Sequence, residues 1–214
     1  QGDGSGIFIN NVDRNAAGAA TPTEVDIVGL NLTGVGSTGI LVQNSLNSPV
    51  FTFTNTLIGG TTGPTAQGIL ITANSDTTKT VFNNLDMSLP SLTASGIRAV
   101  NAGIVTATGA NTLATTSTNE AAIYAEGVTI FEDGITFLNF VSVESDNING
   151  STGSSTPPPL RAISIVDGTP TGTINITGNF SVPISGGNAT GANILNNGAT
   201  LPVVVGGSVL TPIN

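Results

Sequence analysis

The chain has 214 residues, among them 28 Gly, 32 Thr and 23 Asn but no Cys and no His, and 13 acids against four basic residues leave a net charge of −9. That balance argues against gripping a phosphate backbone and excludes nucleic acid as a partner. Without Cys or His there are no disulfides, no thiolate metal sites and no nucleophile pair that relies on imidazole or thiolate.

Ile7, preceded by Gly6, opens the first of seven similar segments. The others begin at Gly39-Ile40, Gly68-Ile69, Gly96-Ile97, Ala122-Ile123, Ala162-Ile163 and Asn193-Ile194, at spacings of 33, 29, 28, 26, 40 and 31 residues. A small residue, an isoleucine and an alternating segment, repeated at this period, predict a solenoid of stacked coils. Ile7-Phe8-Ile9, Ile40-Leu41-Val42, Ile69-Leu70-Ile71 and Ile163-Ser164-Ile165 place apolar side chains at i and i+2, as in a strand with one buried face. Ala99 and Ala125 predict that coils four and five are thinner or packed by neighbours, and Asn196 at an interior position predicts fraying or a changed register in coil seven.

Each anchor is followed by a second block, an apolar residue and then, two positions on, Gly or Asn. The seven are Ile27/Gly29, Phe53/Asn55, Phe82/Asn84, Ala107/Gly109, Phe137/Asn139, Ile176/Gly178 and Val205/Gly207. Four residues after the anchors stand Asn11, Asn44, Ala73, Asn101, Gly127, Asp167 and Gly198. Both positions read as bends, since Gly and then Asn best tolerate left-handed backbone geometry. Stacked at about 4.8 Å, Asn side chains at equivalent corners are expected to hydrogen-bond from coil to coil.

Departures from the mean period mark insertions. The largest, 145–159, falls in coil five and a smaller one, 15–23, in coil one; insertions in solenoids become lateral loops. No stretch carries an uninterrupted helical period, and no run of about 18 apolar residues suited to a membrane-spanning helix occurs. The expected fold is therefore all-β: one parallel β-helix domain over 1–214, of about seven coils, with a long loop in coil five.

Six acids fall between residues 120 and 146: Glu120, Glu126, Glu132, Asp133, Glu144 and Asp146. Their oxygens are dense enough to hold Ca²⁺, which takes six to eight ligands, roughly, from such groups. No EF-hand spacing or calcium-repeat motif accompanies them, and a solvated acidic edge that discourages aggregation is the reading taken, with no metal or cofactor site assigned. For catalysis only carboxylate pairs, or a carboxylate with Arg or Lys, remain; Asp86, Arg98, Glu126 and Asp167 are the candidates, and no motif supports them. With no Trp, one Tyr and eight Phe, a sugar-stacking platform is hard to build. No catalytic residue is assigned, and the chain is read as not an enzyme.

The Gly-Ile-x-apolar strand, the apolar-x-Asn/Gly block and the Cys-free, low-charge composition resemble the right-handed parallel β-helix repeats of bacterial surface proteins. Autotransporter passenger regions and related adhesins are similar in character. The resemblance implies an exported, cell-surface or extracellular, non-enzymatic stalk or adhesin that meets surface glycans or proteins. A polysaccharide-degrading β-helix enzyme is a further alternative, but the Asn-Thr-Asp, Asp-Asp, Gly-His-Gly and Arg-Ile-Lys motifs of polygalacturonase-like enzymes are absent. With no signal peptide and no initiating Met, the chain reads as a processed product or a piece of something larger. Neither end reads as a cap, so the terminal coils are expected to meet neighbouring coils of a longer chain or further copies of the chain, as in a head-to-tail filament.

Overall fold

In the computed structural model the seven anchors lie side by side. The structure describes residues 4–13, 23–59, 64, 66–89, 95–115, 121–127, 129–130, 138–145, 163–166, 174–176, 180–181, 194–197, 203–205 and 208–210. One sheet runs in the order β1 (Ile7–Asn10), β4 (Thr38–Gln43), β6 (Gln67–Thr72), β8 (Ser95–Val100), β10 (Ile123–Glu126), β13 (Ile163–Val166), β16 (Ile194–Asn197). All neighbours are parallel, and their register aligns Ile7, Ile40, Ile69, Ile97, Ile123, Ile163 and Ile194 in one row.

The second sheet has 11 strands. Its main path is β18 (Ser208–Leu210), β17 (Val203–Val205), β14 (Ile174–Ile176), β12 (Leu138–Ser145), β9 (Ile104–Thr115), β7 (Lys79–Leu89), β5 (Val50–Gly59), β2 (Glu24–Val28). Beside it β3 (Asn31–Thr33) pairs with β5, β11 (Thr129–Ile130) with β9 and β15 (Phe180–Ser181) with β12. The protein is an all-β solenoid of stacked parallel strands, with about three turns between β4 and β9 and no helix among the described residues.

Left-handed residues make the corners. Gly29, Asn55, Asn84 and Gly109 all have φ between 53° and 75°. In β5 the bend at Asn55 inverts the alternation, so Phe51 and Phe53 point inward before it and Thr56 and Ile58 after it. One long strand thereby supplies two walls. At the other predicted corner Asn11, Asn44, Ala73, Asn101 and Gly127 have φ between 47° and 57°; Asp167 and Gly198 lie outside the described residues.

The apolar rows meet in the middle. Ile40, Val42, Ile69 and Ile71 of one sheet and Phe51, Phe53, Ile58, Phe82 and Leu85 of the other are all at most 1% exposed. Phe53 and Phe82 stack with ring centroids 5.6 Å apart. Ala99 and Ala125 are both buried and lie side by side in the row.

The glycines before Ile7, Ile40, Ile69 and Ile97 have a steric cause. A Cβ on Gly68 would stand 2.5 Å from the Met87 sulfur and 2.8 Å from the Gly96 carbonyl oxygen, and one on Gly39 would collide with the Gly68 carbonyl. At Gly39, Gly68 and Gly96 the neighbouring atoms leave no room for a Cβ, whereas Ala122, Ala162 and Asn193 hold the equivalent position further along the row.

Two expectations are corrected. The residue beside Ala107 is Leu138, not Phe137, because β9 and β12 are irregular in register here; Phe137 itself lies outside the described residues. Coil seven keeps its register in the first sheet, with Ile194 beside Ile163 and Asn196 beside Ile165, since the backbone ladder does not depend on which side chain faces inward. The tail continues as strand, and β18 folds back antiparallel on β17, pairing Val203 with Leu210 and Val205 with Ser208. The coil-five insertion 145–159 lies outside the described residues apart from its first residue, Ser145, at the end of β12.

Candidate functional site

Alternation along β8 turns Arg98 outward between buried Ile97 and Ala99, and along β10 it turns Tyr124 outward between Ile123 and Ala125. The parallel register sets Arg98 directly beside Tyr124. Its guanidinium carbon lies 4.5 Å from the centre of the tyrosine ring, within range of a cation–π contact. The phenol hydroxyl then donates to Glu126 Oε2 at 2.7 Å. A cation, an aromatic ring and a carboxylate thus form a chain across the outer face of the first sheet, and Tyr124 is only 7% exposed although it points out of the coil.

The same outward row carries Phe8, Leu41 and Leu70 on the preceding strands. Phe8 is 58% exposed. The next outward row is polar at its start, where the Gln43 and Asn44 side chains both donate to Asn10 Oδ1, at 3.3 and 2.9 Å. The face is therefore an apolar stripe that ends in the Arg98–Tyr124–Glu126 cluster.

Of the four catalytic candidates the fold brings two together. Arg98 and Glu126 share the outer face of the first sheet, joined through Tyr124. Asp86 belongs to β7 in the other sheet and accepts a hydrogen bond from the Thr112 hydroxyl at 2.6 Å. Asp167 lies outside the described residues. The Tyr124 hydroxyl is already committed to Glu126, so the cluster suits contact and positioning; it holds no pair of carboxylates flanking a gap.

The two described acids of 120–146 lie in different sheets. Glu126 closes β10 in the first sheet, whereas Glu144 lies in β12 beside Ala114 of the second. Glu120, Glu132, Asp133 and Asp146 lie outside the described residues. Among the described residues no three acidic side chains gather as a metal-holding group, and no helix is long and apolar enough to cross a membrane.

Tyr124 is the site residue that the sequence reading passed over. Its signal was the repeat itself: the single tyrosine of the chain stands one place after an anchor, where alternation faces it outward, and its equivalent one coil earlier is Arg98.

The coil-to-coil asparagine bonds form, but unevenly. Asn84 Nδ2 donates to Asn55 Oδ1 at 3.0 Å, and Asn84 Oδ1 accepts the Ala110 N–H at 3.0 Å. At the other corner Asn44 bonds Asn10 rather than its equivalent Asn11. No family model, curated protein or solved structure matches the chain.

Proposed function

We propose that this chain is a non-enzymatic structural or adhesive segment of a bacterial cell surface, a right-handed solenoid of about seven coils whose lateral faces and loops make the contacts. The observation that carries the reading is the unbroken parallel row from Ile7 to Ile194. A continuous ladder of this kind resists bending and separates its ends, as a stalk requires. The outer face with Phe8, Leu41, Leu70 and the Arg98–Tyr124–Glu126 cluster is its best-formed contact surface, offering apolar area and a paired charge to glycans or proteins.

The test is surface labelling of intact source cells with an antibody to the chain, together with binding of the purified chain to glycan and matrix-protein arrays. Labelling without permeabilisation, and array binding that the Arg98→Ala variant weakens, is the expected result. Antigen found only after lysis would overturn the reading.

The head-to-tail filament draws less support. It needs parallel strand edges at both ends of each sheet, and in the second sheet β18 already occupies the edge of β17 in the antiparallel sense.

A further inference from the structure

We propose that the outer face of the first sheet binds an aliphatic monocarboxylate, with the carboxylate on Arg98 and the hydrocarbon chain along Leu70 and Leu41. The inference rests on reading that face as the contact surface and gives its ligand a chemistry. Where the protein resides does not enter into it.

Arg98 is held in place by the strand beside it. Its guanidinium carbon stands 4.5 Å from the centre of the Tyr124 ring. A guanidinium held against a ring still aims its in-plane N–H fork at a carboxylate, and such a pair can form two parallel hydrogen bonds. Glu126 stands diagonal to Arg98 across the two strands, and its Oε2 takes the Tyr124 hydroxyl at 2.7 Å. Among the described residues the partner of Arg98 is the ring, and no carboxylate pairs with it.

The surroundings of this cation decide the class of ligand. Leu70 lies directly beside Arg98 on β6, Leu41 lies beside Leu70 on β4, and Val100 follows two places along β8 itself. All three are half-buried and keep part of their surface in solvent. The positive charge thus sits in an apolar setting. A carboxylated sugar would set hydroxyls against Leu70 and Val100, and an extended peptide would set amide groups there, with the cost of desolvating them unmet. A hydrocarbon chain needs no polar partner and gains by covering the leucines.

Length and charge agree with that choice. Strands lie about 4.8 Å apart, so the path from Arg98 over Leu70 to Leu41 covers two spacings, roughly 10 Å. A medium-length chain such as that of octanoate reaches along it. The net charge of −9 repels a polyanion at long range, whereas a single carboxylate seated on the guanidinium meets local attraction.

The chain has one Tyr and no Trp, so tyrosine emission reports on Tyr124 alone. Titration of the full chain with octanoate is expected to change that emission saturably, and octanol and octylamine at the same concentrations are expected not to reproduce the change. Saturation-transfer NMR is expected to show the octanoate methylenes in contact with the protein. Arg98→Gln removes the partner of the ring, so its binding is read by NMR, and a loss of at least roughly tenfold is expected. Leu70→Ala, at an outward position that leaves the core alone, is expected to weaken octanoate binding by roughly threefold or more. No saturable response to octanoate, an equal response to octanol, glucuronate binding as tight as that of octanoate, or an Arg98→Gln variant that binds octanoate unchanged would each overturn the proposal. Array binding that Arg98→Ala weakens, with octanoate inert, leaves the surface reading standing and removes this one. Saturable octanoate binding without surface labelling does the reverse.

Discussion

The side-chain oxygen of Asn111 accepts the backbone N–H of Leu85 at 2.8 Å, in the place where a strand ladder would supply a carbonyl. Between the pairs Asn83–Thr108 and Asp86–Thr112, β9 carries one residue more than β7, a bulge at the Gly109 corner. Asn111 is fully buried, and its amide also donates to the Thr108 carbonyl at 2.8 Å. One side chain thereby mends both halves of an interrupted ladder. Asn111→Ala is expected to lower unfolding stability by about 1–3 kcal/mol, because it strands the buried Leu85 N–H and removes the partner of the part-buried Thr108 carbonyl. A urea titration that moved the midpoint no further than a surface substitution does would refute this.

Thr80 and Thr56 present the opposite case. Their hydroxyl oxygens are buried with no hydrogen-bond partner, and Thr80 lies between Phe51 and Val105 in the stacked rows. Valine has nearly the same shape without the desolvated hydroxyl. Thr80→Val is expected to stabilise by about 1 kcal/mol, read as a higher urea midpoint at unchanged slope.

Ala73 occupies a corner with φ of 53°, while its neighbours in the column, Asn44 and Asn101, are asparagines at φ of 55° and 47°. An alanine Cβ is strained there, and asparagine tolerates the geometry better. Ala73→Asn is expected to gain about 0.5–1 kcal/mol. The reverse change at Asn44 should cost more than that, since it also removes the bond to Asn10. Thermal melts of the two variants moving in the same direction would contradict the argument.

The glycines before Ile40, Ile69 and Ile97 are a packing requirement. Gly68→Ala must displace the Met87 sulfur and crowd the Gly96 carbonyl, and a loss of about 1–3 kcal/mol is expected. Gly4→Ala, with open space around its Cβ position, serves as the neutral control. Equal denaturation midpoints for the two variants would remove the steric explanation.

The period, the inward isoleucine row and the left-handed corners could all be read directly from the sequence, because each depends on a residue type that one local geometry demands. Gly29, Asn55, Asn84 and Gly109 show this on one side of the coil, and Asn11, Asn44 and Asn101 on the other. A steric demand at one residue leaves a trace at that residue. The Leu138 register, the Asn111 repair, the antiparallel β18 and the Arg98–Tyr124–Glu126 chain were decided only when strands about 26 residues apart or more were laid side by side, or when the chain turned back on itself. Tyr124 became a site residue only through the strand beside it, which put Arg98 over its ring.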